Sequence, residues 1–409
     1  MERNVVSEPL ANSTFPLLTT LTLVLGIFAL GSDELVISPI LLDLSKSLTG
    51  PLDLVALSVS VYGLALGLGA PLLAPIGDRL SRRTVLIMGM VMFVLATVLC
   101  AVSNNLIFFL IGRILSGLAA GSFVPSAYAF VGDQVPFEKR GRVMGLVVSS
   151  WALSLIIGIP LGSFINQWLN WRWTFWCLSI AGLIVTVFLF MIRERRIPES
   201  KEKNDHRIIA SLIVGIKTRG VLPLIFATFC NMFGFYGMYT FVGSALRSVF
   251  PEGSSIAGKM IMVYGLGFAA SSFTGRIADR VGKKKSLIFS FVTLAIIIFA
   301  LPYTVRAVAL LLILLFLWGA MQSLAVTMLS TLLSECSEAH RGQIMGLYSL
   351  ATNLAVALGA GLMGVLYVHD GYTMVALVCG IITFIGLFFA LVARQGSVSH
   401  DSTPITLEH

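Results

Sequence analysis

The stretch Arg140-Gly141-Arg142-Val143-Met144-Gly145-Leu146 occurs a second time in the chain, as Arg341-Gly342-Gln343-Ile344-Met345-Gly346-Leu347. Two more matches share that separation in sequence: Asp78-Arg79 with Asp279-Arg280, and Gly158 with Gly359. Three separate matches at one separation are hard to obtain by chance. They predict a chain built from two homologous halves.

The composition is typical of a membrane protein with many spans. Hydrophobic residues make up 57% of the 409 residues and charged residues 12%, with a mean hydropathy of +0.92. A soluble globular domain carries about 25% charged residues. Apolar runs recur along the whole length, so no sizeable soluble domain is left over.

Apolar runs of about 20 residues can cross a bilayer, and lipid leaves the backbone few options besides the helix. Twelve spans are predicted, at 16–42, 54–76, 84–103, 106–131, 143–167, 173–192, 220–246, 256–277, 286–304, 307–332, 343–367 and 372–393. With six spans each, both halves enter the membrane from the same side. The predicted fold is an all-α membrane protein, in which a pseudo-twofold axis along the membrane normal relates two six-helix bundles.

The same runs predict the domain boundaries. Residues 1–192 form the N-terminal bundle and residues 220–393 the C-terminal bundle. Residues 193–219 are a charged cytoplasmic linker, whose second part is either a helix lying on the membrane surface or an early start of span 7. Residues 394–409 form a cytoplasmic tail that ends in what resembles a tag remnant, Leu407-Glu408-His409.

The net charge of +8 does not indicate nucleic acid, because the positive residues are segregated by topology. Most of the 28 lysines and arginines fall in alternate loops, on the same side as the N-terminus. The loops of the other side hold only Lys46, Arg172, Arg247, Lys259 and Arg306. The positive-inside rule then predicts a multi-pass protein of the inner or plasma membrane with both termini in the cytoplasm.

Span 1 carries two adjacent carboxylates, in Gly31-Ser32-Asp33-Glu34-Leu35-Val36-Ile37-Ser38-Pro39. An acidic residue at the centre of a span costs roughly 2.5–3.5 kcal/mol, and such residues mark ion or substrate routes. Arg113 in span 4 is equally costly and needs a partner. Counted along the helices, Asp33 and Arg113 both lie roughly 7 Å outward of the bilayer centre, which permits an ion pair. Neighbouring residues on a helix point about 100° apart, so we expect Asp33 and Glu34 to have different roles. The alternative is that one of them only forms a structural pair with Arg113.

Two loops carry a family signature. They read Ala74-Pro75-Ile76-Gly77-Asp78-Arg79-Leu80-Ser81-Arg82-Arg83 and Gly275-Arg276-Ile277-Ala278-Asp279-Arg280-Val281-Gly282-Lys283-Lys284-Lys285. Both resemble the G-x-x-x-D-R-x-G-R-R signature of the major facilitator superfamily, with Ala74 and Ser81 in place of two glycines. In that family the motif is a conformational latch, which this resemblance assigns to Asp78, Arg79, Arg82, Arg83, Asp279, Arg280, Arg140 and Arg341. Positive-inside charge alone would explain the basic residues but not the aspartates.

Further stretches resemble the twelve-span drug:proton antiporters of that superfamily. Arg113 and Gly117 match an R-x-x-x-G motif that is linked to proton coupling in those antiporters. Gly158, Pro160 and Gly162 are similar to the antiporter signature G-P-x-x-G at the seam between the halves, with ordinary close packing as the alternative. The stretch 32–37 resembles the T-E-F-V-I-like start of a branch that exports sugars, nucleosides and amphenicols.

Polar and aromatic side chains within the spans are candidates for a substrate cavity. They are Tyr62, Tyr128, Trp151, Asn231, Tyr236, Tyr239, Gln322, Tyr348 and Asn353, with Tyr264 in addition. Hydrogen bonds between helices or core packing would also explain each of them. Charged groups deep in the spans lie in the first half, whereas the aromatic and amide groups of the second half suit an amphipathic or neutral ligand.

The resemblance implies a proton-coupled antiporter that exports small amphipathic compounds or drugs by alternating access. Asp33, Glu34 and Arg113 would couple transport to protons, with either carboxylate as the proton carrier and the proton gradient in place of a cofactor. The alternatives are an exporter of sugars or nucleosides, a symporter or a carrier without proton coupling, and a receptor or scaffold that moves nothing. We expect a monomer that binds a small substrate, protons and the lipid bilayer, but no nucleic acid and no metal. An enzyme is not expected, because the histidines lie in loops or tails without a nucleophile beside them.

Overall fold

The computed structural model describes residues 17–77, 80–192, 215–218, 220–250, 253–270, 280–337 and 339–393. These residues form helices and short connections, without a strand among them. The predicted surface helix of the linker, apart from 215–218, and the tail 394–409 lie outside the described residues. The predicted division into domains therefore stays a prediction.

The first six spans follow one another with short turns. Span 1 consists of the helices Leu17–Leu35 and Ile37–Ser47. Spans 2, 3 and 4 are Leu52–Gly77, Arg82–Val102 and Leu106–Gln134. Span 5 consists of Phe137–Leu153, the π-helical turn Ser154–Gly158 and the helix Ile159–Trp168, and span 6 is Trp171–Met191.

The last six spans repeat that order. Span 7 is Val221–Val249, span 8 includes Ser254–Ala269, span 9 is Lys283–Thr304, span 10 is Val308–Glu335, and spans 11 and 12 lie within Arg341–Val392. The boundary between spans 11 and 12 is Gly371, where the backbone turns with φ 78° and ψ −179°. Glycine suits this position because a side chain would strain a positive φ.

The number of spans agrees with the sequence-based expectation. Ten of the described helices are long and apolar enough to cross a membrane, and Ser254–Ala269 is a shorter apolar helix. The longest of the ten contains two spans, separated at Gly371. These helices confirm the predicted all-α membrane fold.

Span 1 was predicted as one helix, but it is divided at Val36. Pro39 explains the division, because proline has no N–H to donate to the carbonyl four residues earlier, which is that of Leu35. In a membrane an unpaired carbonyl is costly, and here the Tyr239 hydroxyl of span 7 donates to the Leu35 carbonyl at 3.4 Å. The proline therefore creates a contact point between the two halves of the protein.

The halves meet along three pairs of spans, and small residues allow close approach. Span 1 packs against span 7, span 2 against span 11 and span 5 against span 8. A Cβ at Gly67 would lie 2.6 Å from Cβ of Asn353, and a Cβ at Gly258 would lie 2.6 Å from Cβ of Ser163. We name the two ends of the bundle by residues they carry, the Asp43 end and the Arg140 end.

Polar contacts join the two halves at the Asp43 end. A Cβ would meet no described atom within 4 Å at Gly132, Gly141, Gly145 and Gly342 of the Arg140 end, or at Gly371 in the turn between spans 11 and 12. At the Asp43 end, hydrogen bonds and an ion pair join spans 1 and 5 to spans 7 and 8. The described contacts between the halves thus favour a conformation that is closed at the Asp43 end.

Candidate functional site

The predicted ion pair between Asp33 and Arg113 lies inside the N-terminal half. Arg113 Nη1 is 2.8 Å from Asp33 Oδ1, and neither side chain has any exposed surface. Arg113 also donates to the carbonyls of Asp33 at 3.1 Å and Ser58 at 3.4 Å, and its guanidinium lies 4.3 Å above the ring of Tyr62. Spans 1, 2 and 4 thus hold this cation on several sides.

Glu34 points away from this pair and reaches the other half. Its side chain is buried, and its Oε1 accepts a hydrogen bond from the Tyr236 hydroxyl of span 7. The two adjacent carboxylates therefore have different partners, as the 100° turn between neighbouring helical residues requires. Asp33 is bound within its own half, and Glu34 is bound across the seam.

Spans 1 and 7 continue to touch from Glu34 toward the Asp43 end. Ser38 Oγ donates to the Tyr239 carbonyl at 2.5 Å, and the Gly243 N–H donates to Ser38 Oγ at 3.2 Å. A Cβ at Gly243 would lie 2.7 Å from Cα of Pro39, so only glycine permits this approach without movement. We call the contacts of Glu34, Leu35, Ser38 and Pro39 with span 7 the seam strip.

A polar cluster closes the seam strip at the Asp43 end. Arg247 binds Asp43 through two atoms, at 2.7 Å from Nη1 to Oδ2 and 2.9 Å from Nη2 to Oδ1. Asn166 Nδ2 lies 2.5 Å from Asp43 Oδ2 and 2.8 Å from Ser254 Oγ, and Ser254 Oγ donates to the Ser163 carbonyl at 2.9 Å. This Asp43 cluster joins spans 1 and 5 to spans 7 and 8. Sequence reasoning missed it, because Arg247 was interpreted as a loop residue and Asp43 was not singled out.

Aromatic candidates of the C-terminal half form one group next to the seam strip. The Phe235 ring lies 5.2 Å from Tyr239 and 5.7 Å from Tyr264, and the Tyr264 ring lies 5.0 Å from Trp318. Phe235 and Trp318 were missed, because an apolar aromatic residue in a span gives no sign of which way it faces. Tyr236 touches the same group, with its ring 4.9 Å from Phe235.

The amide candidates Asn231 and Gln322 pair with each other. Asn231 Nδ2 donates to Gln322 Oε1 at 3.3 Å, and Gln322 Nε2 donates to Asn231 Oδ1 at 2.9 Å. Both side chains are buried, so these two hydrogen bonds satisfy amide groups that would be costly to leave unpaired. Spans 7 and 10 are thereby joined within the C-terminal half.

The remaining cavity candidates lie in both halves. Trp151 Nε1 donates to the Tyr128 hydroxyl at 3.3 Å, and both side chains are half-buried. Asn353 Nδ2 donates to the Ser349 carbonyl at 2.8 Å while its Cβ faces span 2. Tyr348 is half-buried on span 11. The structure therefore brings Tyr236 to Glu34 and Tyr239 to the neighbouring Leu35 carbonyl, but it does not gather all the candidates at one point.

Two of the predicted latch residues hold neighbouring helix ends. Arg82 Nε lies 3.5 Å from Asp133 Oδ2 at the end of span 4, with both side chains about half exposed. Arg83 donates to the carbonyls of Leu189 at 2.9 Å and Phe190 at 2.5 Å, near the end of span 6. Positive side chains are favourable at these carbonyl ends. Asp78, Arg79 and Asp279 lie outside the described residues.

The second half repeats these contacts. Lys283 pairs with Glu335 at the end of span 10, and Lys284 Nζ donates to the carbonyls of Leu391 at 2.9 Å and Ala393 at 2.7 Å, at the end of span 12. The sequence repeat is therefore also a repeat of interactions. Lys283 and Lys284 were not among the predicted latch residues.

Three further arginines of the predicted latch lie at the Arg140 end. Arg140 donates to the Val135 carbonyl, at 3.4 Å from Nε and 3.3 Å from Nη2, and Arg341 Nε donates to the Ser334 carbonyl at 3.1 Å. Both cap the end of the preceding span, span 4 and span 10. Arg280 is exposed.

The glycines and proline of span 5 face in different directions. A Cβ at Gly158 would lie 2.8 Å from Cβ of Ser32, and one at Gly162 would lie 2.6 Å from Cγ2 of Val36. Both glycines thus meet span 1 of their own half, not the seam where the antiporter signature would place them. Pro160 does face the seam, with its Cα 3.3 Å from the Cβ position of Gly258. The π-helical turn Ser154–Gly158 ends two residues before Pro160, whose missing N–H interrupts the regular helix.

Comparison with known proteins gives the family. The family model of the Major Facilitator Superfamily matches residues 23–307 and 253–408. The chain is 50% identical over 383 residues to the Uncharacterized MFS-type transporter YwfA of Bacillus subtilis (strain 168), covering 93% of each chain. It is 24% identical over 377 residues to the Inner membrane transport protein YdhP of Escherichia coli (strain K12), covering 92% of this chain and 95% of the relative.

The fold is shared with a solved transporter. The crystal structure of a D-xylose-proton symporter matches with a TM-score of 0.74 and 18% identity, covering 92% of this chain and 98% of the other. At that identity the likeness concerns the fold alone. The family match, the relatives and the twelve-span architecture agree: the chain belongs to the Major Facilitator Superfamily and is a membrane transporter, not an enzyme.

Proposed function

We propose that the chain is a proton-coupled antiporter that exports small amphipathic compounds, including drugs, by alternating access. The observation that carries the proposal is the divergence of the two carboxylates in span 1. Asp33 pairs with Arg113 inside the N-terminal half, whereas Glu34 bonds to Tyr236 of the other half. When the halves tilt apart at this level, Asp33 keeps its partner and Glu34 loses its own. We therefore assign the transported proton to Glu34.

The chemistry of this exchange follows from the cost of a buried charge. A carboxylate in an apolar cavity needs a hydrogen-bond donor, water or a proton. With Tyr236 in place, the ionised carboxylate has a donor. Once Tyr236 moves away, a proton or a polar group of the substrate takes over that role. Proton and substrate would then compete for the same carboxylate, which is the basis of exchange in opposite directions.

The proposed substrate class rests on the C-terminal half. The rings of Phe235, Tyr239, Tyr264 and Trp318 pack on one another beside the seam strip, and they would offer apolar surface to a ligand once the halves move apart. Binding sites for small molecules are mostly apolar and aromatic, with a few polar groups that fix orientation. Glu34 and Tyr236 would supply those polar groups, and this favours amphipathic ligands.

The proposed orientation follows from the distribution of charge. Lysines and arginines are concentrated in the loops of the Arg140 end. The positive-inside rule then puts that end and both termini in the cytoplasm of a cell whose inner or plasma membrane the protein spans. The Asp43 end would face outward, and the described conformation would be closed to the outside.

The first experiment identifies a ligand and the direction of proton movement. Ethidium, chloramphenicol, uridine and arabinose are screened by thermal shift on the purified protein, because a ligand that binds the native state raises the melting temperature. A ligand that binds is then loaded into proteoliposomes that contain a pH-sensitive dye. Outward movement of the ligand should acidify the lumen. Alkalinisation would indicate symport, and no change would indicate transport without protons.

The second experiment tests Glu34. In Glu34→Gln, transport should no longer respond to a pH gradient, while exchange of labelled for unlabelled ligand continues. Glu138→Gln is the matched control, since it makes the same change at an exposed glutamate of the Arg140 end. Transport by Glu34→Gln that responds fully to the gradient would remove Glu34 from this role.

A further inference from the structure

The Asp43 cluster differs from the other charged contacts in what it connects. Between described residues, the ion pairs of Asp33 with Arg113, Arg82 with Asp133 and Lys283 with Glu335 each lie within one half. The pair of Asp43 with Arg247 joins span 1 to span 7, and so joins the two halves. An ion pair that stays within a half can persist while the halves tilt, but this one must break.

We propose that the Asp43–Arg247 ion pair is the gate of the transport pathway at the Asp43 end. It holds that end shut in the conformation described here, and its opening admits or releases substrate on that side. The proposal requires only that the chain is a transporter with two tilting halves. It does not depend on proton coupling or on the assignment of Glu34.

The geometry of the pair suits a gate that closes firmly and opens again. Arg247 Nη1 and Nη2 each donate to one carboxylate oxygen of Asp43, and such a bidentate pair is strong and specific in its geometry. The side chains remain 13% and 27% exposed, so water can hydrate each charge when they part. A fully buried pair such as that of Asp33 and Arg113 would lack that replacement, and its separation would be far more costly.

The neighbouring contacts make the gate a unit of several residues. Asn166 of span 5 donates to Asp43 and lies 2.8 Å from Ser254 of span 8, so a second pair of spans is joined at the same place. Arg247 also donates to the Pro39 carbonyl at 3.2 Å, which ties the gate to the seam strip. Release of Asp43 from Arg247 would therefore loosen both seams at this end.

Accessibility of a buried cysteine tests the proposal. Ser38 is buried beneath the cluster between spans 1 and 7. Ser38→Cys is introduced into a chain whose own cysteines, Cys100, Cys177, Cys230, Cys336 and Cys379, have been replaced. The rate of labelling by a polar maleimide is measured in nanodiscs at one pH, without a gradient or ligand. Asp43→Asn should raise that rate by about tenfold, because each opening of the pair no longer has to overcome an ion pair of intermediate burial.

Three variants complete the test. Arg247→Gln should also raise the labelling rate, and the double variant should raise it by less than the product of the two single increases, because all three variants lose the same ion pair. Lys46→Gln is the matched control, since it removes an exposed charge from the same helix one turn away and should leave the rate unchanged. If Asp43→Asn does not fold, Arg247→Gln tests the same pair from the other helix.

Unchanged labelling in Asp43→Asn or Arg247→Gln would overturn the gate, and so would an equal increase in Lys46→Gln. An additive effect in the double variant would also overturn it, because it would mean that the two residues act separately. Failure of the proposed proton coupling has a different signature. It would leave all of these labelling rates as expected and would alter only the response of transport to a pH gradient.

Discussion

Asp33 and Arg113 form an ion pair in which neither side chain has any exposed surface, with 2.8 Å between Oδ1 and Nη1. Removal of one member leaves an uncompensated charge in the interior of the membrane domain. Such a loss costs about 3–5 kcal/mol, so Arg113→Gln should lower the free energy of unfolding by that amount. Unfolding by sodium dodecyl sulfate in mixed micelles measures it. The double variant Asp33→Asn/Arg113→Gln should be more stable than Arg113→Gln, and a double variant that is equally unstable would contradict this account.

The hydrogen bond between Tyr236 and Glu34 should appear as a coupling energy. A hydrogen bond to a charged group contributes about 1.5–3 kcal/mol. In a double-mutant cycle with Tyr236→Phe and Glu34→Gln, each change should cost less in the background of the other. Tyr239→Phe serves as the control, because the Tyr239 hydroxyl bonds to the Leu35 carbonyl and not to Glu34. Additive costs in the cycle would show that the bond contributes nothing.

Gly243→Ala should destabilise the conformation that is closed at the Asp43 end. The new Cβ would lie 2.6 Å from the carbonyl carbon of Ser38 and 2.7 Å from Cα of Pro39, and backbone atoms cannot move aside as a side chain can. Overpacking of this kind costs about 1–3 kcal/mol and should lower the melting temperature. Gly145→Ala is the matched control, with no described atom within 4 Å of the new Cβ. An equal change in both variants would mean that the seam strip does not require glycine.

Asp133→Asn should have little effect on stability, in contrast to Arg113→Gln. Arg82 and Asp133 are about half exposed and 3.5 Å apart, and such surface pairs contribute about 0–1 kcal/mol. The small effect should shrink further as salt is added, because exposed charges are screened. Unfolding of Asp133→Asn at low and high ionic strength measures both. A loss as large as that of Arg113→Gln would show that the pair is more than a surface contact.

The spans and the internal ion pair could be predicted because they depend on quantities that a sequence contains. Length and hydropathy define a span, and counting along two helices places Asp33 and Arg113 at the same depth. The pairing of the halves could not be predicted in this way. Glu34 meets Tyr236, and Asp43 meets Arg247, only because the halves are rotated so that span 1 faces span 7. No local pattern in the sequence records that rotation.

The break in span 1 could also have been predicted from the sequence. Pro39 removes a donor for the Leu35 carbonyl, so a break just before it was to be expected. The position of Arg247 was misleading, because a charged residue next to an apolar run usually belongs to a loop. It lies in the last turn of the helix Val221–Val249, because a partner across the seam compensates its charge.

The π-helical turn Ser154–Gly158 determines which side of span 5 faces span 1 and which side faces span 8. A π-helical turn contains one residue more than the α-helical turn it replaces. If the same residues formed a regular α-helix instead, everything beyond the turn would be rotated by about 100° relative to Phe137–Leu153. Pro160 would then turn away from span 8, and Gly162 would turn away from span 1. Deletion of one residue within the turn would restore a regular helix without that rotation, so the turn absorbs one additional residue while both sides of span 5 keep their partners.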